Sequence, residues 1–229
     1  VRLGLGIAAG SDPGQLAGLA SEAEDLGYDS IWSNDNPAGD GLAQLSAWAR
    51  DSAHIHLGVG VLALDRHRPE AIAATVADLQ NLPGARIAVA AMGPRMCRLA
   101  GEVGDAVLLN WMTPERAAWA RPLVAEGATQ AGKRPGEVGV FGYVRSALGP
   151  GAGDRLAREV SMYLQVSHYS RHFEQMGAAP TSVGIVADDP SVVAAEVKRY
   201  TAMDEPVVRV LSHRATGDIL AVARAAIGA

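Results

Sequence analysis

The chain has 229 residues, of which 48% are hydrophobic, with a formal net charge of −5 at pH 7 and a pI near 5.7. That acidic balance, with no basic face, argues against nucleic acid as a partner. No apolar run approaches the ~18 residues of a membrane span, no secretory leader is expected, and the single cysteine, Cys97, cannot form an internal disulfide, which fits a reducing cytoplasm.

Taken in chain order, strands alternate with helices. Leu3–Ile7 reads as a first strand, and Asp12-Pro13 opens a helix to about Leu26, with Asp12 as N-cap, Pro13 at the first position and Gly27 as the stop. Ser30–Asn34 is a second strand, Gly41–Ser52 a second helix, and His56–Leu62 a third strand with two glycines. A helix over Pro69–Leu82 follows, then a strand at Arg86–Met92 bounded by Gly93-Pro94 and a helix from Arg95 to Val103. Ala106–Trp111 is the next strand, and Thr113-Pro114-Glu115 caps a helix to about Gly132. Val138–Ala147 is a strand, Asp154–Met176 is mostly helical, Val207–Leu211 is the last strand, and a helix over Thr216–Ile227 ends the series. This βα order predicts an all-parallel α/β architecture in a single domain spanning 1–229.

Active sites of parallel barrels sit where strands end and βα loops begin. That rule selects Ile7–Gly10, Asn34–Asn36, Gly60–Leu62, Met92–Met96, Asn110–Met112 and Tyr143–Ser146. The N-terminus of the helix after Gly93 offers free backbone N–H groups beside Arg95, an arrangement suited to an anion. Ser33-Asn34-Asp35-Asn36-Pro37 places a carboxylate and two amides at a strand end, either to handle a ligand or to cap a turn. Asp65-Arg66-His67-Arg68 reads as a solvated loop or a contact to phosphate or substrate. His168 and His172, four residues apart on a helix, lack a third ligand, so no metal site is expected. There is no nucleophile elbow, no Walker loop, and no complete dinucleotide fingerprint.

The stretch Gly93-Pro-Arg-Met-x-Arg-Leu-Ala-Gly-Glu-x-x-Asp-x-Val-Leu-Leu-Asn-Trp-x-x-Pro-Glu115 resembles the luciferase-like monooxygenase superfamily, within it the oxidoreductases that use the deazaflavin coenzyme F420. The resemblance implies a TIM (β/α)8-type barrel with cofactor at the C-terminal strand ends, F420 bound (FMN the alternative), and hydride transfer or monooxygenation on a small organic substrate. It implies pairing as a homodimer as well. It places the ring against a bulge at Gly60, Val61 and Leu62 with a non-prolyl cis peptide at Gly60–Val61. The cofactor phosphate falls at Gly93, Pro94, Arg95 and Met96, with Arg95 and Arg98 near an acidic tail and Asn110 lining the pocket. Asp35 and Asn36 are the catalytic candidates. Relatives often carry Asp-His there, and Asn36 departs from this because an amide is no acid or base near neutrality.

Seven strands are one short of the eight in a closed barrel. Against the family pattern the shortfall falls between Pro83 and Ala85, where a fourth strand with a glycine-rich end and its helix are expected. Either a segment is left out of the chain as given, which the abrupt join and the lack of Met before Val1 favour, or the barrel is truly shortened. A shortened barrel would suit a non-catalytic or storage protein that binds flavin or deazaflavin.

Overall fold

The computed structural model describes residues 2–7, 16–37, 39–62, 67–68, 70, 87–211 and 216–228. The predicted helix over Pro69–Leu82, its join to the next strand and the predicted N-cap at Asp12 lie outside them, apart from Glu70. The elements are β1 (Gly4–Gly6), α1 (Leu19–Asp25), β2 (Ser30–Ser33), α2 (Gly41–Asp51), β3 (His56–Val59), β4 (Ala88–Ala91), α3 (Pro94–Val103) and β5 (Ala106–Leu109). They continue with α4 (Pro114–Gln130), β6 (Gly139–Leu148), α5 (Ala152–Leu164), α6 (Ser167–Met176), β7 (Ile185–Ala187), α7 (Pro190–Val197), β8 (Glu205–Val210) and α8 (Thr216–Ile227). Among the described residues no helix is long and apolar enough to cross a membrane.

Local chemistry accounts for the boundaries. Asp40 caps α2 by accepting from the Leu42 and Ala43 amides, and Thr113 caps α4 by accepting from Arg116. Pro94 and Pro114 sit in first turns, where the missing N–H costs nothing. The predicted helix over 154–176 is two helices, because Gln165 and Val166 break it. β7 and α7 escape sequence reading: the three residues of β7 are too few to show a period, and α7 is a helix of only eight residues.

All strand pairs are parallel, in the order β3-β2-β1-β8-β6-β5-β4, with β7 beside the tip of β6. β2, β5 and β8 are buried along their whole length, whereas β3 and β4 are mostly half-exposed, as edge strands are. On a flat sheet β3 and β6 would stand four spacings, about 19 Å, apart. Yet the Tyr143 hydroxyl on β6 donates to the Gly60 carbonyl just past β3 at 2.6 Å, so the sheet is curled into a partial barrel. Among the described residues β3 and β4 do not pair, and the opening lies where the sequence is short of one βα unit. β7 does not fill it, since it pairs only with Ser146–Leu148 of β6. Beside the opening, Ile87 and Val103 are 68% and 61% exposed, an apolar surface that a further unit of the barrel would cover.

Outward-facing residues of the strands meet the helices in one large core that includes Leu5, Ile31, Val107, Leu109, Val208 and Val210. Inside the curl a smaller cluster of Trp32, Leu108, Phe141, Tyr143 and Val207 fills the middle layer. α3 and α4 cross so closely that a Cβ on Gly101 would fall on the Val124 carbonyl oxygen, and one on Gly127 on that of Arg98. Gly101→Ala is therefore expected to lower stability by about 2 kcal/mol despite alanine's better helix propensity, because the obstacle is backbone. A urea midpoint equal to or above that of the parent chain would contradict this packing.

Candidate functional site

The C-terminal ends of β2, β3 and β6 build the first half of the site. The Gly60–Val61 peptide is cis, as the resemblance implies. The Gly60 amide continues the ladder by donating to Ser33 O at 2.8 Å, and the Gly60 carbonyl accepts from Asn34 Nδ2 at 2.8 Å and from Tyr143 Oη at 2.6 Å. The Val61 carbonyl accepts from the Asp35 amide at 3.4 Å. Burial holds the Tyr143 phenol far above its ordinary range, so it remains a donor. Gly60 is buried, Leu62 half-buried and Val61 50% exposed, which leaves the bulge with one face towards solvent. Asn34 Oδ1 is buried and has no hydrogen-bond partner among the described residues.

The Asp35 side chain is fully buried and stands 3.0 Å from His67 Nε2, whose side chain is 14% exposed. Asp35 Oδ1 also receives the Gly41 amide at 3.4 Å, so the carboxylate braces the start of α2 while lying within ion-pair distance of an imidazole. Asn36 pairs with Gly39 through two backbone hydrogen bonds of 3.1 and 3.0 Å, closing the turn that the Asx-rich sequence offered as the plain alternative. Ligand-type atoms of Asp35, Asp40 and His67 lie within 4.8 Å of one another. No such trio was expected from the sequence. Asp40 is already occupied as the α2 cap, and the close Asp35–His67 pair accounts for the rest.

The second half lies across the opening, at the end of β4. Gly93 is the N-cap of α3, and a Cβ there would meet nothing within 4 Å. No side chain caps the helix, Pro94 and Arg95 are exposed, and Met96 is 41% exposed, so the first turn presents its amides to open space. Arg98, expected near an acidic tail, pairs with Glu126 at 2.8 Å. Cys97 behind this turn is fully buried, and burial pushes its thiol up to about 11, so it serves packing and not chemistry.

Asn110, past β5, has both ends of its amide engaged: Oδ1 accepts from Arg145 at 2.8 Å and Nδ2 donates to Tyr169 Oη at 3.2 Å. Arg145, buried on β6, also donates to Glu159 of α5 at 2.8 Å and stacks on the Trp111 ring at 3.5 Å. Trp111 itself has φ 52°, a left-handed conformation uncommon outside glycine. Its carbonyl accepts from His172 Nε2 at 2.7 Å, which ties α6 to the end of β5. The resulting aromatic group of Trp111, Tyr163, Phe173 and Tyr169 meets edge to face, with centroids 4.6–5.4 Å apart.

Burial lowers the pKa of His172 from its ordinary 6.5, with Arg116 adding to this and the bond to Trp111 opposing it. The unfolded chain therefore takes up the proton first as pH falls. Stability supplied by the neutral, Nε2-protonated ring is complete above about pH 6.5 and declines below it. Urea midpoints should drop between pH 7.5 and 5, and drop less in His172→Gln; equal pH slopes would contradict this.

The sequence reading misses one contact and one residue. His67 reads as part of a solvated loop or a contact to phosphate or substrate, and its contact with Asp35 is made by the fold. Arg209 lies outside the selected strand ends, although a cation inside an otherwise apolar strand needs a partner when buried.

The profile of the luciferase-like monooxygenase family matches residues 1–89 and 81–203, two segments that meet at the join where a βα unit is short. The chain is 46% identical over 57 residues to a 5,10-methylenetetrahydromethanopterin reductase of Methanolobus tindarius, covering 25% of this chain and 18% of that protein. It is 27% identical over 152 residues to a protein described as a coenzyme F420-dependent oxidoreductase of Mycobacterium tuberculosis, covering 57% of this chain and 43% of that protein. The matches thus span less than half of either relative. Among solved structures, the coenzyme F420-dependent tetrahydromethanopterin reductase of Methanopyrus kandleri superposes with a TM-score of 0.74 at 17% identity, covering 98% of both chains, which shows a shared fold.

Proposed function

This chain belongs to the luciferase-like monooxygenase family, and on that premise we propose that it is an F420-dependent oxidoreductase acting on a small organic substrate. The observation that carries the reading is the bulge at Gly60–Val61, held from two sides by Asn34 and Tyr143 with one face open. The residues present fit the cofactor. An uncapped helix start with an unobstructed glycine suits a phosphate, and the buried, unpartnered Asn34 Oδ1 suits a donor from a polar ring edge. When bound, F420 supplies hydride chemistry at its deazaflavin ring.

The protein's part is position and proton handling. Gly60, Val61 and Leu62 back the ring, while the Gly93, Arg95 and Met96 amides hold the phosphate; Pro94 has no N–H to give. The Arg95 guanidinium adds a second contact to that anion. Asn36 orients a carbonyl without moving a proton. Asp35, fully buried, stands beside His67, so the ionisable imidazole that position 36 lacks is supplied by His67. A second reading, binding without turnover, is favoured by the lack of pairing between β3 and β4 among the described residues, which fits a shortened barrel.

Fluorescence titrations with oxidised F420 and with FMN, at low and high salt, test the reading. Tight, salt-sensitive F420 binding with weak FMN binding is expected, because only F420 carries an acidic tail. Binding of FMN alone would replace the cofactor, and binding of neither would overturn the oxidoreductase reading.

A further inference from the structure

Arg209 stands on β8, directly in register with Arg145 of β6. Along β8, Val208 and Val210 face the helices, whereas Val207 faces into the curl with Trp32 and Tyr143. Arg209 alternates with them to the inner face, one layer above Val207 towards the strand ends, and its guanidinium lies 5.9 Å from the Tyr143 ring centroid. Tyr143 reaches on to the Gly60 carbonyl, so Arg209 lies beneath the mouth of the proposed site.

The two guanidiniums differ in one respect. Arg145 has Glu159 and Asn110. Arg209 is only 6% exposed, yet among the described residues its buried Nε and Nη1 have no hydrogen-bond partner and no carboxylate pairs with it. Two neighbouring cations on one face repel each other, and Glu159 stands in an ion pair with Arg145. A buried, uncompensated guanidinium is among the most costly groups a fold can keep. Its planar donors match a carboxylate, phosphate or sulfonate, and the bare Nε and Nη1 are donors in want of such an acceptor.

We propose that Arg209 is the anchor for an oxyanion group of the substrate, so that this protein acts on small organic acids. The proposal rests on the oxidoreductase reading for the word substrate, but the anion site stands on Arg209 alone. An oxyanion at Arg209 restores neutrality beside Arg145 and fixes one end of the substrate under the bulge. The cofactor's own acidic groups share this chemistry, and their site is placed across the opening at α3.

The test uses the protein without cofactor. Thermal midpoints are measured against inorganic phosphate and acetate at constant ionic strength, for the parent chain, Arg209→Met and Arg209→Lys, followed by F420 titration of each. Ligands that bind only the folded state raise the midpoint saturably. A saturable rise is expected in the parent, absent in Arg209→Met and weakened in Arg209→Lys, with the midpoint of Arg209→Met in chloride no lower than the parent's and F420 affinity unchanged within about twofold. The same rise in the parent and in Arg209→Met would overturn the proposal, as would a tenfold loss of F420 affinity in Arg209→Met, which would give Arg209 to the cofactor. An Arg209-dependent rise in a chain that binds neither F420 nor FMN would support the anion site while overturning the oxidoreductase reading.

Discussion

Glu159→Ala is expected to lower stability by about 3–5 kcal/mol, the cost of leaving one member of a buried ion pair without its partner. Net stabilities of such domains run to roughly 5–15 kcal/mol, so the variant should approach the folding limit. Glu159 is the carboxylate beside Arg145, both side chains are buried, and Arg209 stands next to them in register. Its loss leaves two adjacent buried cations with no described carboxylate between them. The double variant Arg145→Met/Glu159→Leu should recover most of the loss, because the charge that needs compensation is gone. Urea midpoints of the three chains decide this; a loss under about 1 kcal/mol in Glu159→Ala would mean that water reaches Arg145. Asn110 is held by the same guanidinium, so Glu159→Ala also frees the amide at the end of β5.

Gly60→Ala should weaken F420 binding about 100-fold, the scale on which an ångström of misplacement is felt in a preorganised site. A Cβ at Gly60 would stand 2.6 Å from Tyr143 Oη and 2.7 Å from Leu108 Cδ2, both inside van der Waals contact. Either the bulge or Tyr143 must move, and the bulge is held by the bond that Tyr143 donates. Tyr143→Phe is the control. It removes one of the two donors to the Gly60 carbonyl, leaves Asn34 in place, and should cost only about 1 kcal/mol of stability. If Gly60→Ala binds F420 like the parent chain, the bulge is not the ring site.

What could be read from the sequence was what short-range chemistry determines. The Gly93-Pro94 turn, the helix behind it and the flanking strands follow from proline and glycine at fixed offsets, and the structure places them within a residue or two of the expected bounds. The cis peptide at Gly60–Val61 came from family resemblance, since nothing in a Gly-Val-Gly-Val run requires it. What escaped were contacts between distant segments. Asp35 and His67 are separated by thirty-odd residues, and the fold alone makes them a pair. The sequence selects Arg145 only as part of a strand end and Arg209 not at all; the strand order sets these two cations side by side, and the fold brings Glu159 to Arg145. The shortfall of one unit was legible as a count, and the structure turns it into an opening with the two halves of the proposed cofactor site on either side.

The central claim is that one ligand bridges that opening, its ring at the end of β3 and its phosphate at the start of α3. Hydrogen exchange followed by mass spectrometry, with and without saturating F420, measures this directly. The account predicts slowed exchange in two separate segments, around residues 60–62 and around 93–97, with the outer helices unchanged. Protection of one segment without the other, or of neither, would contradict it.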